Sequence, residues 1–456
     1  MKEAIAKSLS KITGMNKNDI IRNLEKPKYS NLGDISFPCF ALAKKLKKSP
    51  YMLAEEIASS IGIPSKGILK IQALGGYVNF FLNKEILAEK VLNDILKNKK
   101  KYGSSTMGKN KTIVIDYSSP NIAKPMTIGH LRSTIIGNSL YRIFKFLGYK
   151  CVGINYLGDY GTQFGKILCA YDKWGKLLGS DLEKKPIESL LKLYLKFNKE
   201  AEKNPFLEDE AREWFRKMEK NDKKAIALWR KFRKLSLRDF KKFYSILGVH
   251  FDVYSGESQF KDKAKKVLEE LKAKGIAIES EGAWIIPFGK NKPPLLVEKK
   301  DGTSLYSTRD IAVAEEHFKK YKFLKKLYVV ATEQNLYFKQ LFSTLERMGY
   351  RWSKDCVHVS FGMIYLPQGK ISTRSGNIVF LEDVLEKIFK MAEELSKNSA
   401  LTKKEIKKVS KAVGVSALIY SDLSNDRKKD IKFDWNNILR MEGNSGPYIQ
   451  YSNVRA

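Results

Sequence analysis

Residues Thr112 to Gly165 constrain this chain more than any others: TIVIDYSSPNIAKPMTIGHLRSTIIGNSLYRIFKFLGYKCVGINYLGDYGTQFG. The apolar run Ile113 to Ile115 is short enough for a buried strand and breaks into a polar loop holding Pro120 and Pro125. Ile136, Leu140, Ile143, Phe144 and Leu147 recur at three- and four-residue steps, which predicts a helix, and Gly148 is placed for a left-handed C-terminal cap. A second strand is expected near Cys151 to Tyr156. Strand, loop, helix and strand in that order make the first unit of a parallel doubly wound sheet, whose ligand site lies at the carboxyl ends of the strands. Ser118 to His130 are therefore expected to line a site. Gly129 lets a ligand approach the backbone at a helix N-terminus, where unpaired N–H groups and the dipole favour phosphate, and His130 can donate to phosphate or ribose. Taken alone, a glycine and a histidine that merely start a helix have the same local pattern.

The longer string SSPNIAKPMTIGHLRST resembles the "HIGH" signature region of the class I aminoacyl-tRNA synthetases, specifically of the arginyl-tRNA synthetase family. NYLGDYGTQFG resembles the segment that follows it in that family. The resemblance recurs in GGYVNFFLN, FDVYSGESQ, DGTSLYSTRDIA, ATEQN, GKISTRSGN and GNSGPYIQYSNVRA, in family order from one end of the chain to the other. It implies an α/β fold: a doubly wound parallel-sheet, Rossmann-like catalytic domain of the HIGH-type nucleotidyl transferases, split by a helical insertion. A small N-terminal α/β domain precedes it and the start of an all-α domain follows.

The 456 residues are too many for one ordinary core and suggest roughly three domains. No charge-free apolar run spans a bilayer, and the N-terminus lacks a signal-peptide core, so a cytoplasmic protein without membrane partners is expected. Cys39, Cys151, Cys169 and Cys356 are scattered, which argues against a zinc site and a disulfide framework. Lys and Arg number 84 against 50 Asp and Glu, a formal charge of +34, which favours a polyanionic partner through phosphate contacts. A lysine-rich composition spread over every surface is the alternative, and charge alone does not separate RNA from DNA.

In chain order, residues 1–100 form the expected N-terminal domain, with helical patterns at Lys2 to Lys11, Ser36 to Leu46 and Pro50 to Ile61 and an aromatic strand in GGYVNFFLN. By resemblance it contacts the elbow of the tRNA, and Lys44, Lys45, Lys47 and Lys48 either touch phosphate or form a solvated face. Lys97 to Lys111 reads as a polar linker. The catalytic domain is placed at 111–395, with a helical insertion at about 166–247 whose Trp214 and Trp229 either stack on RNA or, as is commoner at helical spacing, make core. AWIIPFG and LLVEKKDG are expected to pair as a hairpin. Residues 396–456 turn all-helical, opening at a Thr402/Glu405 capping-box spacing, and resemble the beginning of the family's anticodon-binding domain, so a C-terminally truncated chain is expected.

The implied reaction joins arginine to ATP as arginyl-adenylate and passes the arginyl group to the terminal ribose of arginine tRNA. Its first step concentrates charge on phosphoryl oxygens, so it needs fixed donors and cations. His130 matches the second signature histidine, and Lys370 in GKISTRSGN matches the first lysine of the second class I signature, with Ser372 beside it. Two positions depart from the general pattern. Thr127 replaces the first signature histidine, and Thr373 replaces the second lysine, for which Lys124 is the expected substitute. Lys124, His130 and Lys370 are thus the candidate catalytic residues, and Thr127, Gly129, His130, Lys370 and Ser372 the candidate ATP site. A guanidinium is planar, always charged and rich in donors, so its pocket requires buried acids and acceptors. The resemblance places them at Glu257, Tyr306, Asp310 and Gln334, with Ser119 and Asn121 at the amino-acid end. Ser307 and Asp310 also have capping-box spacing, which would tie Asp310 to its own helix terminus instead. His250, His317 and His358 match no signature. Mg²⁺ is expected to arrive with ATP rather than on a protein site, and a monomer is expected.

Overall fold

The computed structural model describes the chain except residues 123, 290–291, 301, 303–304, 367–368, 371–379, 398–399, 436–437 and 441, and the side chains of 366, 369 and 370. Two compact units divide it, Met1–Ser104 and Ser105–Ala456.

The first unit runs α1 (Lys2–Thr13), α2 (Lys17–Asn23), β1 (Ile35–Pro38), α3 (Phe40–Leu46), α4 (Pro50–Ser60), β2 (Ile68–Leu74), β3 (Tyr77–Leu82) and α5 (Lys84–Asn98). β3 lies between β1 and β2 in an antiparallel sheet. The β2–β3 turn is closed by Gly75 and Gly76, both with positive φ, which is what a tight two-residue hairpin demands. Ile5, Leu9, Phe37, Ile57, Val78 and Phe80 fill the core beneath the sheet. The helical reading of Ser36 to Leu46 is corrected here. Ile35–Pro38 is a strand registered on β3 through Ile35 and Phe80, with Ser36 hydrogen-bonded to the buried Asn79, and the helix begins only at Phe40. Local periodicity could not show this, because the strand's partner lies more than forty residues downstream. The expected linker from Lys97 overlaps the last turn of α5, a helix absent from the sequence reading.

The second unit opens with β4 (Thr112–Asp116), α6 (Ile128–Phe146) and β5 (Lys150–Leu157). Gly148 has φ 85° just past the end of α6, the left-handed cap expected from its position. The helices α7 (Thr162–Trp174), α8 (Asp181–Lys184), α9 (Pro186–Lys203), α10 (Phe206–Glu219) and α11 (Lys223–Leu247) follow, then β6 (Val253–Gly256) and α12 (Lys261–Ala273). Trp214 is buried and Trp229 donates its indole N–H to the Asp159 carbonyl at 2.8 Å, so packing, not open stacking, occupies both tryptophans. A three-stranded antiparallel sheet, β7 (Ile278–Ser280), β8 (Ala283–Ile286) and β9 (Leu295–Glu298), contains the expected hairpin. After it come α13 (Tyr306–Tyr321), β10 (Lys325–Tyr328), α14 (Asn335–Arg347) and β11 (Cys356–His358). Then follow β12 (Ile364–Leu366), β13 (Gly369–Lys370), α15 (Leu381–Leu395), α16 (Lys403–Leu423), β14 (Ile431–Lys432) and α17 (Gly446–Arg455). Thr402 and Glu405 cap α16 reciprocally.

The central sheet has the order β11-β10-β4-β5-β6, and every pairing in it is parallel. Buried residues cover both of its faces. Ile113 and Ile115 pack with α6 and the helical insertion, while Val114, Val152 and Ile154 pack with α12, α13 and α14. Strand order reverses between β4 and β10, which makes the ends of those two strands the switch point where a doubly wound sheet opens a crevice. Among the described residues, no helix is long and apolar enough to cross a membrane.

Candidate active site at the switch point

β4 ends in a contorted loop. Ser118 and Ser119 both have positive φ, 69° and 44°, which costs a non-glycine residue and marks a conformation held by its surroundings. The Ser118 N–H donates to Ser133 Oγ at 2.9 Å, and that hydroxyl donates to the Val329 carbonyl at 2.7 Å, so the loop, α6 and the chain after β10 are joined across the crevice. Ser119 Oγ donates to Asp116 Oδ1 at 2.8 Å and accepts the Tyr156 N–H at 3.3 Å. Asn121 bridges Gly158 by backbone pairing. The expected amino-acid end therefore lies between the tips of β4 and β5.

α6 presents its N-terminus to the same crevice. His130 Nδ1 accepts the Thr127 N–H at 3.1 Å and lies 3.0 Å from Thr127 Oγ1, so the threonine at the first signature position anchors the histidine at the second. Burial first, and Lys124 second, push the imidazole down to about 4, which keeps it neutral at pH 7. With Nδ1 accepting, the proton of the neutral ring resides on Nε2, leaving one N–H free to donate outward. Gly129 has open space where a side chain would stand, save for Thr127 Oγ1 at 3.4 Å. Lys124 lines a cleft of about 740 Å³ with Gln163, Lys166 and Tyr194. Phe380 pairs with Thr127 through an isolated bridge, and the Leu381 N–H donates to the Met126 carbonyl at 2.9 Å. The backbone of Lys370 belongs to β13, while its side chain and Ser372 lie outside the described residues.

Across the crevice is a group of acids. Asp310 Oδ2 accepts the Tyr337 hydroxyl at 2.5 Å, and the Tyr306 ring lies 5.0 Å from that of Tyr337. Glu257, in the turn after β6, pairs with Arg309 at 3.2 Å. Burial raises Glu257 to about 7, with Asp310 and Asp159 adding to it against Arg309; burial raises Asp310 to about 6, with Asp116 adding to it. Carboxyl groups raised by burial and by a neighbouring acid have the electrostatics of a cation site. The turn bearing Glu257 is fixed from below by Asp159, which pairs with Arg233 at 2.9 Å and accepts the Ser258 N–H at 2.9 Å. A Cβ on Gly256 would stand 2.2 Å from that carboxylate, so only glycine lets the strand pass it.

The capping reading of Asp310 is corrected by this geometry. α13 begins at Tyr306, Ser307 Oγ donates to the Leu296 carbonyl, and Asp310 lies inside the helix, one turn from Tyr306 on the same face. Glu257, Tyr306 and Asp310 are thus brought into one neighbourhood. Gln334 lies exposed in the turn after β10, three residues before the Tyr337 that bonds Asp310. His250 is exposed, while His317 is buried and His358 bonds the Val330 carbonyl at 2.9 Å. Sequence reasoning passed over Asp116, Arg309, Lys326 and Tyr337. An acid closing an apolar strand was a usable signal for Asp116; for the others the meaning depends on neighbours far away in the chain.

Residues 91–435 match the family model for the catalytic domain of class I tRNA synthetases (R), and residues 1–82 match that for the arginyl tRNA synthetase N-terminal domain. The arginine–tRNA ligase of Alkaliphilus metalliredigens is 48% identical over 452 residues, covering 98% of this chain and 79% of that protein. That of Clostridium acetobutylicum is 46% identical over 458 residues, covering 100% and 80%. In fold, the chain is similar to the Thermus thermophilus arginyl-tRNA synthetase, with TM-score 0.79, 22% identity and 100% and 80% coverage. The Plasmodium falciparum arginyl-tRNA synthetase gives TM-score 0.76 at 25% identity, with 99% and 80% coverage. With a doubly wound sheet, a donor-bearing helix N-terminus at its switch point and an acidic pocket opposite, and with both domain models matched along its length, the chain belongs to the arginyl-tRNA synthetase family of class I.

Proposed function

We propose that the chain is an arginine–tRNA ligase, which activates L-arginine with ATP and transfers it to the 3′-terminal adenosine of arginine tRNA. The observation that carries this reading is the pair Glu257 and Asp310, held partly buried with raised pKa values beside Tyr306 and Tyr337, across the crevice from the α6 N-terminus. A guanidinium supplies the positive charge and the donors that such a pair requires. In the first step a carboxylate oxygen of arginine attacks the α-phosphorus, and the bond to pyrophosphate breaks. His130 donates Nε2–H to a phosphoryl oxygen, and Lys124 and Lys370 supply the cations that a neutral imidazole does not. In the second step a ribose hydroxyl of the terminal adenosine attacks the activated carbonyl and AMP leaves. Ser119 and Asn121 hold the amino-acid end, Gln334 contributes an acceptor at the rim, and Thr127, Gly129 and Ser372 border the nucleotide. Mg²⁺ enters on the ATP phosphates, and the enzyme acts as a cytoplasmic monomer.

The domain assignment proposed with it is a tRNA-contacting domain at 1–100, a catalytic domain at 111–395 and a helical region at 396–456. Arginine-dependent exchange of labelled pyrophosphate into ATP, with and without arginine tRNA, tests the activity. Exchange that requires arginine supports the reading. Exchange absent under both conditions, with ATP and tRNA still bound, would replace it with a tRNA-binding protein that does not catalyse.

A further inference from the structure

Lys326 is an anomaly inside the sheet. It lies on β10 opposite Val114 on one side and Cys356 on the other, and it is fully buried. Nζ has no hydrogen-bond partner among the described residues. It stands 4.5 Å from the centroid of the Tyr328 ring, so its stem runs up the strand toward the carboxyl end, where Tyr328 is registered with Asp116. The groups that face it are Asp116 on β4, Asp310 and His317 on α13, Cys356 on β11 and Tyr328 on its own strand. His317 is buried and held neutral, so the charges around the ammonium are the two carboxylates. Burial pushes the Lys326 amine down from its ordinary value, and Asp116 first, then Cys356 and Asp310, oppose that shift and favour the ammonium.

Counted together, the pocket has three carboxylates, Asp116, Asp310 and Glu257, and two cations, Arg309 and Lys326. With all five groups ionised, the state that a bound cation favours, one uncompensated negative charge remains. L-Arginine at neutral pH has two positive charges and one negative, a net charge of one, whereas its decarboxylated analogue agmatine is a dication.

We propose that Lys326 is a specificity-determining residue of the amino-acid pocket, whose buried ammonium matches the site to an amino acid of net charge one and disfavours the corresponding dication. The inference rests on the arginine reading of the pocket. Lys326 acts through Asp116 and Asp310 and touches no substrate, so it is a positioning residue. Removing its charge leaves two uncompensated negative charges, which favours a divalent ligand over a monovalent one and raises the pH at which the acids ionise.

Equilibrium dialysis of labelled L-arginine and of agmatine against the full chain tests this in the wild type, in Lys326→Met and in the charge-retaining Lys326→Arg. Lys326→Gln stands in if the methionine variant does not fold. Lys326→Met is expected to lower the ratio of the agmatine Kd to the arginine Kd at least tenfold and to move the acid limb of arginine binding to higher pH. Lys326→Arg is expected to restore both to within about threefold of the wild type. A ratio and an acid limb unchanged in a folded, arginine-binding Lys326→Met or Lys326→Gln protein would overturn the role of Lys326 alone. Failure of the wild type to bind arginine would overturn the arginine reading of the pocket, and this inference with it.

Discussion

At the scale of single residues, the acid pair sets the pH behaviour. Asp310 and Glu257 rise to about 6 and about 7 in the free protein, and a bound guanidinium favours their ionised forms. Arginine binding should therefore release protons below about pH 7, and the KM for arginine should fall as pH rises through 6 to 7, which a pH series of initial rates would check. For folding the sign is opposite. A carboxylate whose folded pKa exceeds its unfolded value contributes stability at low pH and loses it as pH rises through the folded value. Saturating arginine should consequently raise the melting temperature more at pH 7.5 than at pH 5.5. Asp310→Asn removes a charged partner in a desolvated site, an effect of about 2 kcal/mol or more, so arginine KM should increase by at least ~30-fold. An increase below threefold would remove Asp310 from the pocket. The capping-box spacing at Ser307 and Asp310 pointed equally well to a helix terminus. Only the start of α13 at Tyr306 and the Tyr337 hydroxyl decided between the two.

At the scale of elements, α6 is fixed at its N-terminal end by two side chains, His130 and Arg132. His130 serves its N-terminus as well as the proposed chemistry. His130→Ala should reduce kcat for adenylate formation by about a hundredfold to a thousandfold, as loss of one well-placed donor does. It should lower stability by only about 1 kcal/mol through the lost cap. Two residues on, Arg132 is buried and pairs with Asp422 of α16 at 3.0 Å, donating also to the Gly362 carbonyl at 2.5 Å and the Lys429 carbonyl at 2.9 Å. Arg132→Ala should lower the unfolding free energy by about 3–5 kcal/mol, because it leaves a buried carboxylate without its partner. Burial already raises Asp422 to about 6, so the loss should shrink as pH falls below that value. Denaturant unfolding at pH 5 and pH 8 measures both. The run HLRST announced a helix start, yet nothing local marked Arg132 as a tie to a helix that begins more than 270 residues later.

At the scale of the whole molecule, the formal charge of +34 should make tRNA binding strongly dependent on salt. A filter-binding series from 50 to 200 mM salt should show the Kd rising by at least ~10-fold, while arginine affinity in its shielded pocket changes far less. Most of the architecture was legible in residue order. Apolar periodicity, the glycine caps and the strand–loop–helix–strand unit follow from local sterics and amphipathicity, which adjacent residues encode by themselves. The matched segments likewise name the family without coordinates. Tertiary structure alone decided which side chains share a site. The strand at Ile35–Pro38, the Tyr337 bond to Asp310, the Glu257–Arg309 pair and the buried ammonium of Lys326 join residues from distant parts of the chain. Their pairing energies and desolvation costs exist only once the sheet has brought them together, so a lysine that looks like any other in KKLYVV becomes, in the fold, a buried group faced by Asp116 and Asp310.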